Sequence, residues 1–291
     1  MRDLKITDVR ALPGDAAFLI DDGKTAILYD TGFAFTGFEV ADKIKRELGN
    51  RELDYIFLTH SHYDHALGTP YILERYPCAK VVAGEYATKI FSKPTARDKM
   101  RELDGKFAKK CGVESYEDLV DSLRVDICVS DGDTLKCGDM EFTAIALPGH
   151  TKCSFGFYLA ENKLLLSCET LGVYFGDNTI VPSYLTGYQM TLDSFTKAKA
   201  LDIESILLPH YGVIRGDEAK DYLESSRRAT VKVTEKIRDM LLSGASKNDA
   251  IEYFSKEFYT DMVKPSYPVD AFLLNTGIMI ELIERELVLG E

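Results

Sequence analysis

The sequence predicts an α/β fold, because short apolar strands alternate with helices over the first two-thirds of the chain. Residues 85–125 interrupt this alternation with a segment rich in Lys, Glu and Asp that has helical periodicity and no strand pattern. After Gly216 the pattern is helical only. These observations predict a domain over residues 1–215 with a helical insertion at about 85–125, and a helical extension over residues 216–291 packed on that domain.

Turn and cap residues place the elements in the first part of the chain. Asp21, Asp22 and Gly23 separate two apolar runs and predict a β-hairpin. Gly49 is a C-cap for the helix before it, and Pro77 ends a later helix. The predicted elements are strands at 16–20 and 25–29, a helix at 38–48, a strand at 55–58, a helix at 66–76 and a strand at 80–83.

The second part of the chain continues with short strands and ends in helices. Thr191 is the predicted N-cap of a helix at 191–201, and Ser246 with Asp249 three residues later forms a capping-box pattern. Pro268 and Asp270 open an apolar final helix. The predicted strands are 125–129, 134–135, 141–147, 154–159, 163–166 and 205–208, and the remaining helices are 218–242, about 246–258 and 268–287.

Composition excludes several function classes. The 291 residues carry 35 Lys and Arg against 47 Asp and Glu, a net charge of −12, which argues against nucleic acid as a partner because phosphate contacts need a basic field. No window approaches the ~20 apolar residues of a membrane span, so we expect no membrane partner. Six cysteines without a CxxC pair, in a chain without a signal-peptide pattern, predict reduced thiols and a cytoplasmic location.

Histidine placement is the strongest chemical signal in the sequence. His60, His62 and His65 lie within six residues, directly after the predicted strand at 55–58, and Asp64 lies among them. Two residues two apart on extended backbone project to one side, so His60 and His62 can share one metal ion. Asp64 and His65, on the turn that follows, can reach a second point a few ångströms away. The segment therefore predicts ligands for two adjacent metals.

The two other histidines and one acid also follow predicted strands. His150 comes after the strand at 141–147, His210 after 205–208 and Glu169 after 163–166. Side chains delivered from strand ends to one place would form a rigid metal site. Two neighbouring residues leave alternatives open: Asp30 is a simple turn residue or holds a ligand imidazole, and Cys168 is a weaker rival to Glu169 as a ligand.

Five segments resemble, in order along the chain, the motifs of the metallo-β-lactamase superfamily. They are Asp30-Thr31-Gly32, Thr59–His65, Pro148–Thr151, Leu164–Glu169 and Pro209–Gly212. The similarity covers about residues 1–215. It implies a four-layer αββα sandwich with the metals at one edge. It also implies that His60, His62 and His150 bind one metal, that Asp64, His65 and His210 bind the other, and that an acidic residue bridges the two.

One position departs from the family pattern. The bridging residue of the family is normally aspartate, whereas the segment here reads Ser167-Cys168-Glu169-Thr170. Glutamate is longer by one methylene, so Glu169 bridges two metals only if its turn is drawn back, and otherwise binds one. The departure bears on a dinuclear site more than on metal binding itself.

The predicted activity is hydrolysis of an ester-like bond of a small molecule, a thioester or a lactone, by hydroxide on two divalent metals. Zinc is the expected metal, with iron and manganese as alternatives. Asp64 is the predicted catalytic residue, which orients the nucleophile while it binds metal. Two other functions stay open: an iron-dependent redox enzyme of the same fold, of the persulfide dioxygenase or flavodiiron kind, and a metal-stabilised binding or regulatory protein with little turnover.

Aromatic residues close to the motifs have two interpretations. They are core packing, or several of them line the pocket, in which case the acyl part of the substrate is apolar or aromatic. The apolar final helix would suit a lid or a homodimer interface. The aromatic residues concerned are Phe33, Phe35, Phe38, Tyr174, Phe175, Tyr184, Tyr188 and Tyr211.

Overall fold

The structure is a computed structural model, and it describes residues 3–290. The chain forms two compact units. The first unit contains the residues up to Ala146 together with Phe155–Leu166, and the second contains Leu147–Ser154 and the residues from Ser167 onward. The predicted boundary at residue 215 is a different division and stays a prediction.

The first unit contains a six-stranded sheet in which the strands follow chain order. Strands β1 to β3 pair antiparallel, and β3 to β6 pair parallel. Each parallel step needs a crossover, and helices supply all three. The strands are β1 Lys5–Asp8, β2 Phe18–Asp21, β3 Ala26–Tyr29, β4 Tyr55–Phe57, β5 Lys80–Gly84 and β6 Ile127–Val129.

The predicted hairpin is confirmed as β2 and β3, with Asp21 opposite Ala26. Its turn is closed by Asp22, whose Oδ1 accepts hydrogen bonds from the backbone N–H groups of Lys24 and Thr25 at 2.9 and 2.7 Å. An aspartate that bonds to the backbone two and three residues on is a typical turn former.

A second, antiparallel sheet in the same unit packs against the first one. Its strands are β7 Thr134–Cys137, β8 Met140–Ala146, β9 Phe155–Leu159 and β10 Leu164–Leu166. Phe57 of the first sheet lies with its ring centroid 5.3 Å from Phe142 and 4.5 Å from Phe157. All three side chains are buried, so these rings form the centre of the core between the two sheets.

The helices of the first unit are crossover helices and the expected insertion. The predicted helix at 66–76 corresponds to α3 (Thr69–Arg75), whereas Ala66 ends the short helix α2 (Tyr63–Ala66). Between the two, the N–H of Gly68 donates to the carbonyl oxygen of Gly32 at 2.9 Å. The insertion is helical, as the periodicity predicts. The helices are α1 Gly37–Leu48, α2 Tyr63–Ala66, α3 Thr69–Arg75, α4 Glu85–Phe91 and α5 Pro94–Lys110, with a 3₁₀ turn at Val120–Ser122.

The second unit combines two small hairpins with long helices. Its strands pair antiparallel as β11 Val173–Tyr174 with β12 Ile180–Val181, and as β13 Ser205–Leu208 with β14 Gly212–Arg215. Its helices are α6 Tyr188–Lys199, α7 Asp217–Leu242, α8 Lys247–Phe258 and α9 Val269–Ile283, followed by a π-helical turn at Glu284–Leu289. Within residues 3–290, none of the helices combines the length and apolar character that crossing a bilayer requires.

Helix α7 anchors the backbone that precedes β11. The Tyr222 hydroxyl donates to the carbonyl oxygen of Gly172 at 2.9 Å, and the Ser226 hydroxyl donates to that of Leu171 at 2.7 Å. Both donors are buried, as are both carbonyl-bearing residues. These side-chain hydrogen bonds give partners to two buried carbonyl groups, and a buried carbonyl group without a partner destabilises the folded state.

Three expectations about the elements were wrong in detail. Helix α6 begins at Tyr188, three residues before the predicted start, and Thr191 lies inside it with its hydroxyl donating to the carbonyl oxygen of Gly187 at 2.8 Å. The final helix changes from α to π geometry at Glu284 and continues to Leu289, so its predicted end near 287 holds but its uniform α geometry does not. Strands β1, β11, β12 and β14 were not predicted.

Candidate metal centre

Two histidines follow strand β4 at the edge of the first sheet. The chain leaves β4 at Phe57, and the N–H of Leu58 still donates to the carbonyl oxygen of Val82, so the backbone stays extended up to the histidines. The rings of His60 and His62 lie with centroids 4.6 Å apart. Each offers a ring nitrogen within 4.8 Å of one on the other, which is close enough to share one ion.

The next two predicted ligands lie on helix α2, which begins directly after His62. The Nε2 atom of His65 lies 3.7 Å from Oδ2 of Asp64. The ring centroids of His60 and His65 are 4.1 Å apart, and both rings are buried. The structure therefore brings together all four predicted ligands of the first unit.

Asp30 lies beside His65, and its hydrogen bonds show whether it is a simple turn residue or holds a ligand imidazole. It has a left-handed backbone conformation with φ of 53°, and its N–H donates to the carbonyl oxygen of Phe57 at 2.8 Å. Its carboxylate accepts hydrogen bonds at 2.8 Å from the N–H of Thr59 and from Nδ1 of His65. The side chain is fully buried, so Asp30 is a residue that holds an imidazole in place rather than a simple turn residue.

The same carboxylate fixes which nitrogen of two histidines carries the proton. Because a carboxylate only accepts, His65 must carry its proton on Nδ1, so that Nε2 has the lone pair. The Thr59 hydroxyl lies 2.9 Å from Asp30 Oδ2 and 2.9 Å from Nδ1 of His60. It donates to Asp30 and therefore accepts from His60, so Nε2 of His60 also has the lone pair that a metal ligand needs.

In the second unit, His150 is held by a tight loop. Gly149 has φ of +149°, and a Cβ on it would lie 2.3 Å from Oγ1 of Thr191, so a larger residue does not fit. The N–H of His150 donates to the Thr170 hydroxyl at 3.0 Å. Its Nδ1 lies 3.1 Å from the carbonyl oxygen of Ser183, which only accepts, so Nδ1 carries a proton.

Glu169 lies between the two histidines of the second unit. Its Oε2 is 2.7 Å from Nε2 of His150, and its Oε1 is 3.4 Å from Nε2 of His210. One oxygen thus faces each imidazole, and the carboxylate is 7% exposed at the residue level, which excludes most of the solvent. Despite the extra methylene, this side chain reaches both histidines. Sγ of its neighbour Cys168 lies 3.9 Å from the carbonyl oxygen of Leu147.

The imidazole nitrogens and carboxylate oxygens of the predicted ligands are suitable donors for a divalent metal. Three of the histidines have Nδ1 fixed by an oxygen acceptor, and this second hydrogen bond is typical of metal-binding imidazoles. Imidazole nitrogens and carboxylate oxygens are the donors that zinc takes, and they also suit iron. The role of each residue as a ligand stays a prediction.

Two buried carboxylates that the sequence analysis did not identify fix the segment after Gly32. Asp15 accepts from the N–H of Phe33 at 3.2 Å, and Asp104 on α5 accepts from the N–H of Ala34 at 2.8 Å. Burial raises the pKa of each carboxyl to about 6. Because these acids lie 18 and 70 residues from their donors, no local pattern could have identified them. Ser183 was also missed, because no sequence pattern shows that its carbonyl oxygen and hydroxyl lie beside Nδ1 of His150.

The sequence was compared with known proteins. The sequence profile of the metallo-beta-lactamase superfamily matches residues 14–210. A beta-lactamase-like protein 2 homolog of Caenorhabditis elegans is 29% identical over 228 residues, which are 76% of this chain and 66% of that protein. A probable hydroxyacylglutathione hydrolase of Encephalitozoon cuniculi is 31% identical over 179 residues, 56% of this chain and 53% of that protein. The chain thus spans about half to two-thirds of the length of these relatives.

A solved structure has the same fold over nearly the whole chain. The metallo-beta-lactamase family protein TTHA1429 of Thermus thermophilus superposes with a TM-score of 0.63 over 98% of this chain and 94% of its own. The sequence identity is 18%, so this likeness concerns the fold alone.

Proposed function

Because the chain belongs to the metallo-β-lactamase superfamily, we propose that it is a metal-dependent hydrolase that cleaves an ester-like bond of a small molecule, a thioester or a lactone. The family match confirms the resemblance drawn from the motifs, and with it the α/β fold class. The observation that carries the proposal is Glu169, whose two oxygens face two different imidazoles.

The proposed ligand set divides into two. His60, His62 and His150 would hold one ion, and Asp64, His65 and His210 would hold the other, with Glu169 contacting both. The fixed protons on Nδ1 of His60 and His65 support this assignment, because each leaves Nε2 as the binding nitrogen. Nε2 of His150 faces Oε2 of Glu169 at 2.7 Å, as expected for two ligands of one ion. Zinc is the proposed metal.

When bound, the two metals would lower the pKa of a water molecule and polarise the carbonyl group of the substrate. The residues of the chain would supply the geometry. The Asp64 carboxylate, with its side chain 22% exposed, would orient the attacking water and accept its proton. Asp30 and Ser183 would prevent the imidazoles from rotating, which lowers the reorganisation needed during the reaction.

Thioesters are favoured within the ester-like class by a relative. The protein of Encephalitozoon cuniculi is named a probable hydroxyacylglutathione hydrolase, and such an enzyme cleaves a thioester. The alignment covers 53% of that protein, so its substrate is carried over only as a class of bond.

A substrate panel tests the proposal. Zinc-loaded protein should hydrolyse acyl-thioesters or lactones, lose the activity on chelation and regain it on addition of zinc. Asp64→Asn should lower kcat by at least about a hundredfold, whereas Asp22→Asn in the β2–β3 turn should not change it. If metal-loaded protein turns over no thioester and no lactone, the proposal is wrong.

Elemental analysis of the purified protein tests one of the two alternatives, the iron-dependent redox enzyme. Imidazole and carboxylate donors also suit iron, and the superfamily resemblance includes redox enzymes. Iron as the retained metal, combined with oxygen consumption and no hydrolysis, would replace the proposed hydrolase with an iron-dependent oxidoreductase.

A further inference from the structure

Five aromatic rings in the first unit form a continuous cluster that begins inside the histidine motif. Tyr63, which lies between His62 and Asp64, has its ring centroid 5.7 Å from Phe33. From Phe33 the contacts continue to Phe107 at 4.9 Å and to Phe35 at 5.2 Å. The aromatic cluster, as we name it, consists of Phe33, Phe35, Tyr63, Phe107 and Tyr116.

The rings of the cluster are only partly covered by protein. Phe33, in its centre, is 3% exposed, whereas Phe35, Tyr63, Phe107 and Tyr116 are each half-buried. In contrast, Phe57 and Phe142 of the core are fully buried. Half-buried aromatic rings beside polar side chains fit a ligand site, because such sites are lined mostly by apolar side chains.

A buried carboxylate fixes the cluster to the insertion. Asp104 of α5 accepts from the N–H of Ala34 at 2.8 Å through Oδ1 and from the Tyr116 hydroxyl at 2.6 Å through Oδ2. These two hydrogen bonds hold the Tyr116 ring and the backbone beside Phe33 and Phe35 to one buried side chain of α5, so the cluster is fixed at both ends.

We propose that the aromatic cluster binds the acyl group of the substrate and that this group is an alkyl chain or an aryl ring. This inference rests on the proposed hydrolase function. Tyr63 directly precedes Asp64 on α2, and its ring contacts Phe33 at 5.7 Å. An acyl chain that extends from a carbonyl group near Asp64 toward Phe33 would lie against these rings. The rings would exclude water from the chain, which favours longer acyl groups by about 0.8 kcal/mol, or about fourfold, for each methylene buried.

A series of thioesters of one thiol, with acyl groups from acetyl to octanoyl, tests the inference. We expect kcat/KM to rise by about three- to fourfold for each methylene over the first several carbons. Phe107→Ala should lower the ratio of the octanoyl to the acetyl value by at least about tenfold. Phe107→Leu, which keeps an apolar side chain, should restore most of that ratio.

Phe38→Ala is the matched control. Phe38 lies in the same stretch of chain and is also half-buried, but its ring contacts Tyr71 of α3 at 5.2 Å instead of the cluster. We expect the octanoyl-to-acetyl ratio of this variant to equal that of the unmodified protein. An equal loss of the ratio in Phe38→Ala and Phe107→Ala would overturn the inference.

A binding measurement separates this inference from the proposed function. The chain contains no tryptophan, so Phe107→Trp introduces a single fluorescent reporter in the cluster. Octanoate should shift its emission to shorter wavelength at concentrations where acetate has no effect, with or without metal. Hydrolysis with no chain-length dependence and no response to octanoate would overturn the inference alone. An octanoate response without any hydrolysis would support the binding site and overturn the proposed function.

Discussion

Oδ2 of Asp30 lies 2.8 Å from Nδ1 of His65, and both side chains are fully buried. Because the Thr59 hydroxyl joins the same carboxylate to Nδ1 of His60, one acid determines the protonated nitrogen of two imidazoles. The properties of the proposed metal centre should therefore depend on a residue that binds no metal itself.

Replacing Asp30 by Asn is the first test of this arrangement. Asparagine has one accepting oxygen, which cannot serve both the N–H of Thr59 and Nδ1 of His65, so one of these two hydrogen bonds is lost. We expect metal affinity to fall by about 10- to 100-fold, measured by competition with a chromogenic chelator. Asp22→Asn, in the exposed β2–β3 turn, is the control. An unchanged affinity in Asp30→Asn would show that the hydrogen bond does not support metal binding.

Glu169→Gln tests the acid of the second unit. Glutamine keeps the length of the side chain and loses its charge, so each proposed ion loses an anionic ligand. We expect fewer metal ions per chain after dialysis and slower thioester hydrolysis, measured by elemental analysis and by a thiol-release assay. Glu141→Gln, at an exposed position of β8, should retain the original metal content. Full metal content in Glu169→Gln would show that the charge of Glu169 is not needed for metal binding.

Gly32→Ala should strongly destabilise the folded protein. Gly32 has φ of +71°, and a Cβ on it would lie 1.8 Å from Oδ1 of Asp15, a buried carboxylate that cannot move away without losing its hydrogen bonds. We expect a loss of at least about 3 kcal/mol in the free energy of unfolding, measured by urea denaturation. Gly23→Ala has a similar φ of +85° but open space around it, and should cost only about 1 kcal/mol. Equal losses in the two variants would refute the steric argument.

Stability should depend on pH through Asp104. Burial, with a smaller contribution from the charge of Asp64, raises its pKa from 3.8 to about 6 in the folded protein. Between these values the folded state holds a proton that the unfolded state has lost, so the free energy of unfolding falls as pH rises. From pH 5 to pH 7 this contribution falls by about 1 kcal/mol.

Asp104→Asn should remove that contribution, since the amide does not titrate and still accepts from the N–H of Ala34. The measurement is urea denaturation of both proteins at pH 5 and pH 7, with Asp42→Asn on the exposed face of α1 as the control. If Asp104→Asn changes stability between pH 5 and pH 7 as much as the unmodified protein does, Asp104 is not the titrating group.

Local patterns predicted the elements that are stabilised locally. The hairpin at Asp22 and the capping box of α8 depend on residues two or three positions apart, and both were confirmed: the N–H of Ser246 donates to Oδ2 of Asp249 at 2.8 Å, and the N–H of Asp249 donates back to the Ser246 hydroxyl at 3.2 Å. The strands before the histidines were predicted for the same reason, because each is a short apolar run.

Features that depend on distant contacts were not predictable. The N–H of Gly68 bonds to the carbonyl oxygen of Gly32, 36 residues earlier, and α3 begins only at Thr69, whereas periodicity alone placed the start at Ala66. Strand β14 has only half-buried residues at Gly212 and Val213, so it lacks an apolar pattern and is defined by pairing with β13. Near the candidate site, Asp15 and Asp104 accept from the N–H groups of Phe33 and Ala34, which are 18 and 70 residues away in the sequence.

The two hydroxyl groups that α7 directs at the carbonyl oxygens of Leu171 and Gly172 have a consequence for shortened versions of the chain. Glu169 starts the 3₁₀ turn that ends at Leu171, so the acid and its anchor belong to one short stretch of backbone. A truncation that ends before Ser226 would remove the hydrogen bond to the carbonyl oxygen of Leu171 and so destabilise that turn. A shortened variant should therefore keep the first half of α7, even though this helix contributes no side chain to the proposed chemistry.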